Sequence, residues 1–138
     1  MKYIKKKLTI DKIKIEDIAK KFNTPTYCYS YTQLKKNINN FKKNFKSFSP
    51  LICFAIKSNT NTNLIREIQK FGFGADVVSM GELMMALKAG INPKKIVFSG
   101  VGKTSNEISY AIDKKILLIN AESKSEINEI DRLARIKK

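Results

Sequence analysis

Residues 75–90 read ADVVSMGELMMALKAG and contain, in order, the parts of one strand-helix unit. The apolar run Ala75 to Val78 is short enough for a buried strand. Ser79 followed by Glu82 has the spacing of a capping box, which satisfies backbone donors where a helix begins. The apolar residues that follow recur at helical spacing, at Leu83, Ala86 and Leu87. Gly90 then provides a typical helix stop.

The same order of features recurs three more times from residue 51 onward. The other apolar runs are Leu51 to Ile56, Lys95 to Phe98 and Ile116 to Ile119. The last two runs are followed by further capping boxes, Thr104 with Glu107 and Ser123 with Glu126. Strands that alternate with helices indicate parallel βαβ units, in either an open doubly wound sheet or a section of a (β/α)8 barrel.

The segment before residue 51 has a different pattern. It predicts a strand near Tyr3 to Ile10, a short helix near Ile15 to Phe22 and a strand over Thr26 to Ser30. A capping box formed by Ser30 and Gln33 is predicted to begin a longer helix. The apolar stripe of that helix is predicted to be core, at Tyr31, Leu34, Ile38, Phe41, Phe45 and Phe48. Its other side is predicted to be solvated, at Lys35, Lys36, Lys42, Lys43 and Lys46.

Composition argues against several classes of function. The net charge of +15 comes from 27 basic and 12 acidic residues, but only three of the basic residues are arginine, the preferred reader of base edges and phosphates. We therefore expect no nucleic-acid partner. Without a run of roughly 18 apolar residues we expect no membrane partner and a cytoplasmic protein. The chain has no histidine, and Cys28 and Cys53 lack metal-ligand spacing, so we expect no metal site and no Ser/His/Asp triad.

Lys57 is the first candidate for chemistry, because it stands directly after the apolar run that ends at Ile56. Active sites of (β/α)8 barrels collect at the C-terminal ends of the strands. A lysine that is desolvated there can lose its proton, which is what a Schiff base with an aldehyde requires. Spacing alone also allows an ordinary solvated lysine at a strand end.

The turn Ser99-Gly100-Val101-Gly102-Lys103-Thr104 invites a phosphate-loop interpretation. The phosphate-loop pattern requires another glycine where this chain has Val97. We therefore predict a tight strand-to-helix turn that is capped by Thr104.

Four segments together resemble one known family. They are AIKSN (residues 55–59), GADVVSMGEL (74–83), IVFSGVGKT (96–104) and NAES (120–123), in family order and at family-like spacing. The TPTYCYS stretch at residues 24–30 is similar to the family as well. The chain resembles, from about Ile15 to about Ala134, the N-terminal portion of diaminopimelate decarboxylases, which are fold-type III enzymes that depend on pyridoxal 5'-phosphate.

The resemblance implies a partial (β/α)8 TIM-type barrel of about four βα units that binds pyridoxal 5'-phosphate, preceded by a short N-terminal strand and helices. It divides the chain into an N-terminal segment, residues 1–25, and an incomplete barrel domain, residues 26–138, with the C-terminal β domain absent. Lys57 matches the family's Schiff-base lysine. Asp76 and Glu82 match acidic positions near the cofactor pocket, although Glu82 also has the capping explanation.

The implied activity is decarboxylation of meso-diaminopimelate to L-lysine, with an amino acid as the small-molecule substrate and a homodimer as the complete enzyme. A whole barrel takes on the order of 250 residues, so we expect an N-terminal fragment that is inactive alone. The rival hypotheses are a related ornithine or arginine decarboxylase, a non-catalytic barrel protein that binds the same cofactor, and a basic nucleic-acid-binding module.

Overall fold

The computed structural model describes residues 1–45 and 47–137. Lys46, predicted to lie on a solvated helix face, and Lys138, the last residue of the predicted barrel domain, lie outside the described residues. The chain forms two compact units, Met1–Ser49 and Pro50–Lys138. The predicted division between residues 25 and 26 stays a prediction.

The first unit combines a small antiparallel sheet with two helices. The strands are β1 (Lys2–Ile4), β2 (Lys7–Ile10) and β3 (Ile13–Lys14), and the helices are α1 (Ile15–Phe22) and α2 (Tyr31–Asn44). Both helices confirm the sequence prediction, and Ser30 caps α2 by accepting a hydrogen bond from the Gln33 amide at 3.0 Å. The Gln33 side chain donates instead to Asn37 Oδ1, so only half of the predicted capping box forms.

Three other predictions for this unit were wrong. The expected single strand at Tyr3 to Ile10 is a hairpin, because Lys5 and Lys6 form a two-residue turn with φ values of 47° and 63°. The residues 26–30 form no strand, since no neighbouring strand in the described part of the unit pairs with them. Of the predicted core stripe only Ile38 is buried and Leu34 is partly buried, whereas Tyr31, Phe41, Phe45 and Phe48 are exposed. Phe45 and Phe48 also lie beyond Asn44, where α2 ends.

The second unit alternates strands with helices. Its strands are β4 (Cys53–Ala55), β5 (Gly74–Val77), β6 (Ile96–Phe98) and β7 (Leu118–Ile119). Its helices are α3 (Thr62–Gln69), α4 (Met80–Lys88), α5 (Ser105–Asp113) and α6 (Lys124–Ile136). The strands pair in the order β4-β5-β6-β7, and every pair is parallel, which confirms the predicted α/β architecture.

The two faces of this sheet differ because side chains alternate along each strand. On one face, Val77 and Phe98 pair across β5 and β6 and join a buried core with α3, α4 and α5, which supply Ile65, Leu83, Ala86 and Ala111. The other face carries the partly buried side chains of Cys53, Asp76 and Val97. The sequence places a carboxylate on a sheet face that these helices do not cover.

Candidate functional site

Lys57 lies immediately beyond the C-terminal end of β4. The chain turns there through a short 3-10 helix, Ile56–Ser58, which is held by the Ser58 hydroxyl donating to the Ala55 carbonyl at 2.7 Å. Ile56 is fully buried and anchors the turn, whereas Lys57 is exposed. Within residues 1–45 and 47–137 the Lys57 amine has no hydrogen bond or ion pair. The fold therefore presents a free amine where the sequence predicted one.

Asp76 is held at the same edge of the sheet. Asp76 pairs in register with Ala55, which precedes Lys57 by two residues in the chain. Ser99 Oγ donates to Asp76 Oδ1 over 2.7 Å, and Asn120 Nδ2 donates to Ser99 Oγ over 3.0 Å. This hydrogen-bonded path from Asn120 through Ser99 to Asp76, hereafter the polar chain, joins the ends of β5, β6 and β7.

Ser99 and Asn120 were absent from the predicted site residues. Ser99 directly follows β6, and Asn120 directly follows β7. A polar residue directly after an apolar run could therefore have identified both as site residues, because parallel strands bring these positions to one edge of the sheet.

The charge of Asp76 acts on its neighbours on the same face. Burial raises the pKa of the Cys53 thiol, and the negative charge of Asp76 raises it further. Both effects favour the neutral thiol. Cys53 is therefore a poor nucleophile.

Glu82 takes part in a capping arrangement. Its Oε2 accepts a hydrogen bond from the Val78 amide at 2.9 Å, and its own amide donates to Ser79 Oγ at 3.2 Å. Ser79 is the predicted N-cap of α4, but the carboxylate reaches the residue before the cap. The full predicted capping box is formed by Thr104 and Glu107, where each side chain bonds the other residue's backbone amide.

The glycine-rich turn after β6 has the structural role that the sequence predicted. Gly100 and Gly102 adopt φ values of 93° and 70°, which are strained for other residues. Thr104 caps α5. The amine of Lys103 points into the protein, with its side chain 1% exposed, and is not available to a phosphate.

The described residues contain no group of metal-ligating side chains. No helix among them is both long enough and apolar enough to cross a bilayer.

Comparison with known proteins identifies a family. The family model described as "Pyridoxal-dependent decarboxylase, pyridoxal binding domain" matches residues 31–138. Diaminopimelate decarboxylase of Aquifex aeolicus is 40% identical over 134 residues, which cover 97% of this chain and 31% of the relative. The Helicobacter pylori J99 enzyme of the same name is 43% identical over 120 residues, which cover 87% and 30%.

Solved structures agree with these relatives. Diaminopimelate decarboxylase from "m. jannaschii", in co-complex with L-lysine, superposes with a TM-score of 0.91 at 36% identity, and the match covers 95% of this chain and 32% of that one. Ornithine decarboxylase of Entamoeba histolytica is more distant, with a TM-score of 0.67, 29% identity and coverage of 72% and 29%. The chain thus spans about 30% of the length of the curated relatives quoted above. Through residues 31–138 the chain belongs to the family of pyridoxal-dependent decarboxylases, whose pyridoxal-binding domain it carries in part.

Proposed function

We propose that this chain carries the cofactor-binding lysine of a diaminopimelate decarboxylase, which converts meso-diaminopimelate to L-lysine. The observation that carries the proposal is the free, exposed amine of Lys57 at the strand edge that also holds Asp76 and the polar chain. An amine in that place can reach a ligand bound over the C-terminal ends of the strands, where barrel enzymes bind their substrates.

The residues present fit pyridoxal phosphate, which is an aldehyde. Lys57 Nζ would hold the aldehyde carbon covalently, as lysines hold this cofactor elsewhere. Lys103 is unsuited to that role because its amine is buried and already paired. When bound, the cofactor supplies an electron sink for the carbanion that decarboxylation leaves.

The two carboxylates have different proposed parts in cofactor binding. Asp76 presents its charge on the sheet face opposite the helix-packed core, in an orientation fixed by the Ser99 hydroxyl. Glu82 uses Oε2 for the Val78 amide, while its Oε1 has no hydrogen bond with the described residues. That oxygen is the atom by which Glu82 would contact the cofactor.

The choice of substrate, assembly and compartment rests on the relatives and the sequence. The relatives of higher identity are named diaminopimelate decarboxylases, whereas the ornithine enzyme is more distant. An L-lysine complex of the "m. jannaschii" enzyme supports lysine as the product. A homodimer and a cytoplasmic location are part of the proposal. The resemblance supports the homodimer, and the free thiols of Cys28 and Cys53 support a reducing compartment.

The test uses a completed protein, in which this chain is joined to the part of the Aquifex aeolicus enzyme that lies beyond the matched segment. We expect the completed protein to bind pyridoxal phosphate with a visible absorbance band and to release lysine and carbon dioxide from meso-diaminopimelate. Lys57→Ala should abolish both the band and the activity, because the covalent attachment is lost.

The matched control is Lys95→Ala. Lys95 is also a lysine of the second unit, but it precedes β6 and so lies at the opposite end of the strands from Lys57. Its replacement should leave the band and the activity unchanged. Borohydride reduction followed by peptide mapping should place the label on Lys57, and a label on any other lysine would refute the assignment. Release of carbon dioxide from ornithine or arginine in preference to diaminopimelate would refute the proposed substrate.

A further inference from the structure

Lys103 is a buried lysine that the proposed function does not use. Its ammonium donates to the Gly100 carbonyl at 2.6 Å, to the Asn120 carbonyl at 2.7 Å and to Glu126 Oε1 at 2.8 Å. A lysine ammonium has three donors, so these three acceptors satisfy it completely. The contacts join the turn after β6 to the turn after β7 and to the first turn of α6.

The partner carboxylate is itself fixed. Glu126 Oε2 accepts from the Glu122 amide at 2.7 Å, while its own amide donates to the N-cap Ser123 at 3.2 Å. The Glu126 side chain is 9% exposed. Removal of one partner from a buried charge pair of this kind strongly destabilises the protein, because the other charge is left buried without compensation. The pair therefore favours a single arrangement of the two turns.

Asn120 connects this ion pair with the candidate site. Its carbonyl accepts from Lys103, and its side-chain amide donates to Ser99. Ser99 in turn donates to Asp76. A continuous path of contacts therefore leads from the buried ammonium to the carboxylate at the strand edge.

We propose that Lys103 is a positioning residue, which holds Asn120 and Ser99 in the places from which they orient Asp76. This inference rests on the proposed function for its catalytic meaning. Catalytic groups must be held to within about 0.5 Å by the residues behind them, and turns at strand ends do not have such rigidity by themselves. Lys103 supplies it through its contacts with the Gly100 and Asn120 carbonyls.

The first test is amide hydrogen exchange in the full chain without cofactor. The Ser99 and Asn120 amides donate to the carbonyls of Val77 and Phe98, each at 2.8 Å. Lys103→Met should speed exchange at both amides by about tenfold, because hydrogen bonds to a charged group stabilise the closed state by roughly that factor. The matched control Lys70→Met removes a lysine from an exposed pair with Glu67 and should change neither amide. Unchanged exchange at Ser99 and Asn120 in Lys103→Met would overturn the inference.

The second test separates positioning from a purely structural role. Asn120→Ala leaves Lys103 paired with the backbone carbonyl but cuts the path to Ser99, and this exposed substitution leaves no buried charge uncompensated. In the completed protein, Lys103→Met and Asn120→Ala should each change the pH dependence of the cofactor band in the same sense. The double variant should show no larger change than either alone, because both variants break one path.

The outcomes of the second test are distinct. Simple addition of the two effects, or an unaltered band in Asn120→Ala, would show that Lys103 only stabilises the fold and would overturn the inference. A completed protein without any cofactor band refutes the proposed function instead. In that case the exchange test still decides whether Lys103 fixes the turns. If Lys103→Met does not fold, Lys103→Gln supplies the result, since it also removes the ammonium and its Ser99 and Asn120 amides should then exchange faster than in the unmodified chain.

Discussion

Substitution of Gly74 by alanine should damage the second unit more than its small size suggests. A Cβ atom at this position would lie 2.0 Å from the Lys95 carbonyl oxygen and 3.0 Å from Cys53 Sγ. The first neighbour is backbone, so it cannot turn away as a flexible side chain could. Non-bonded heavy atoms are most stable about 3.5 to 4.0 Å apart. The start of β5 and the residue before β6 would therefore have to separate by more than about 1 Å.

The expected cost follows from that displacement. Overpacking of a well-packed interior typically costs about 1–3 kcal/mol, and we expect about 3 kcal/mol because backbone must move. The shift would also weaken the hydrogen bond from the Gly74 amide to the Ile52 carbonyl, which is 2.9 Å long. A loss of this size is a large part of the roughly 5–15 kcal/mol that stabilises a typical domain.

Gly81 provides the matched control for this prediction. It lies within α4, and a Cβ there would meet only Ser79 Oγ, at 3.9 Å. Gly81→Ala should therefore raise the free energy of unfolding by about 0.5–1 kcal/mol, the usual helix preference for alanine. Urea unfolding of the two variants beside the unmodified chain measures both effects. Equal midpoints for Gly74→Ala and Gly81→Ala would refute the close packing of β5 against β6 deduced from the structure.

Two further predictions concern titration at opposite ends of the second unit. Because burial and Asp76 raise the pKa of the Cys53 thiol, iodoacetamide at pH 8 should alkylate the exposed Cys28 faster than Cys53, and Asp76→Asn should speed the reaction at Cys53. Peptide mass spectrometry measures both rates, and equal rates at the two cysteines would contradict the reasoning. The pKa of Glu129 is lowered to about 2, chiefly by its hydrogen bond with Arg132. The stability that this carboxylate adds is therefore fully present above the ordinary glutamate pKa, and it is lost as the pH falls through about 2. Arg132→Gln should raise the pKa of Glu129 in an NMR titration, and the stability change should be small because solvent screens this exposed pair.

The strands and helices of the second unit could be predicted from the sequence because each local signal agrees with the fold. Short apolar runs, hydroxyl caps and glycine stops all occur where the structure needs them, as at Ser79 and Gly90. The hairpin of the first unit could not be predicted in the same way. Its turns use Lys5 with Lys6 and Asp11 with Lys12 at positive φ, where Asn-Gly or a similar pair is the usual signal.

The comparison of Lys57 with Lys103 shows why the candidate site could be predicted only in part. Both lysines follow an apolar run at the same edge of the sheet, Lys57 directly after its run and Lys103 after a glycine-containing turn. Their difference arises from Glu126, which lies 23 residues beyond Lys103 in the chain and meets its ammonium only after α6 has packed. Lys57 has no such partner among the described residues and keeps its amine free. Contacts between distant segments therefore decide which of the two amines stays free, and sequence spacing predicts the position of Lys57 but not the pairing of Lys103 with Glu126.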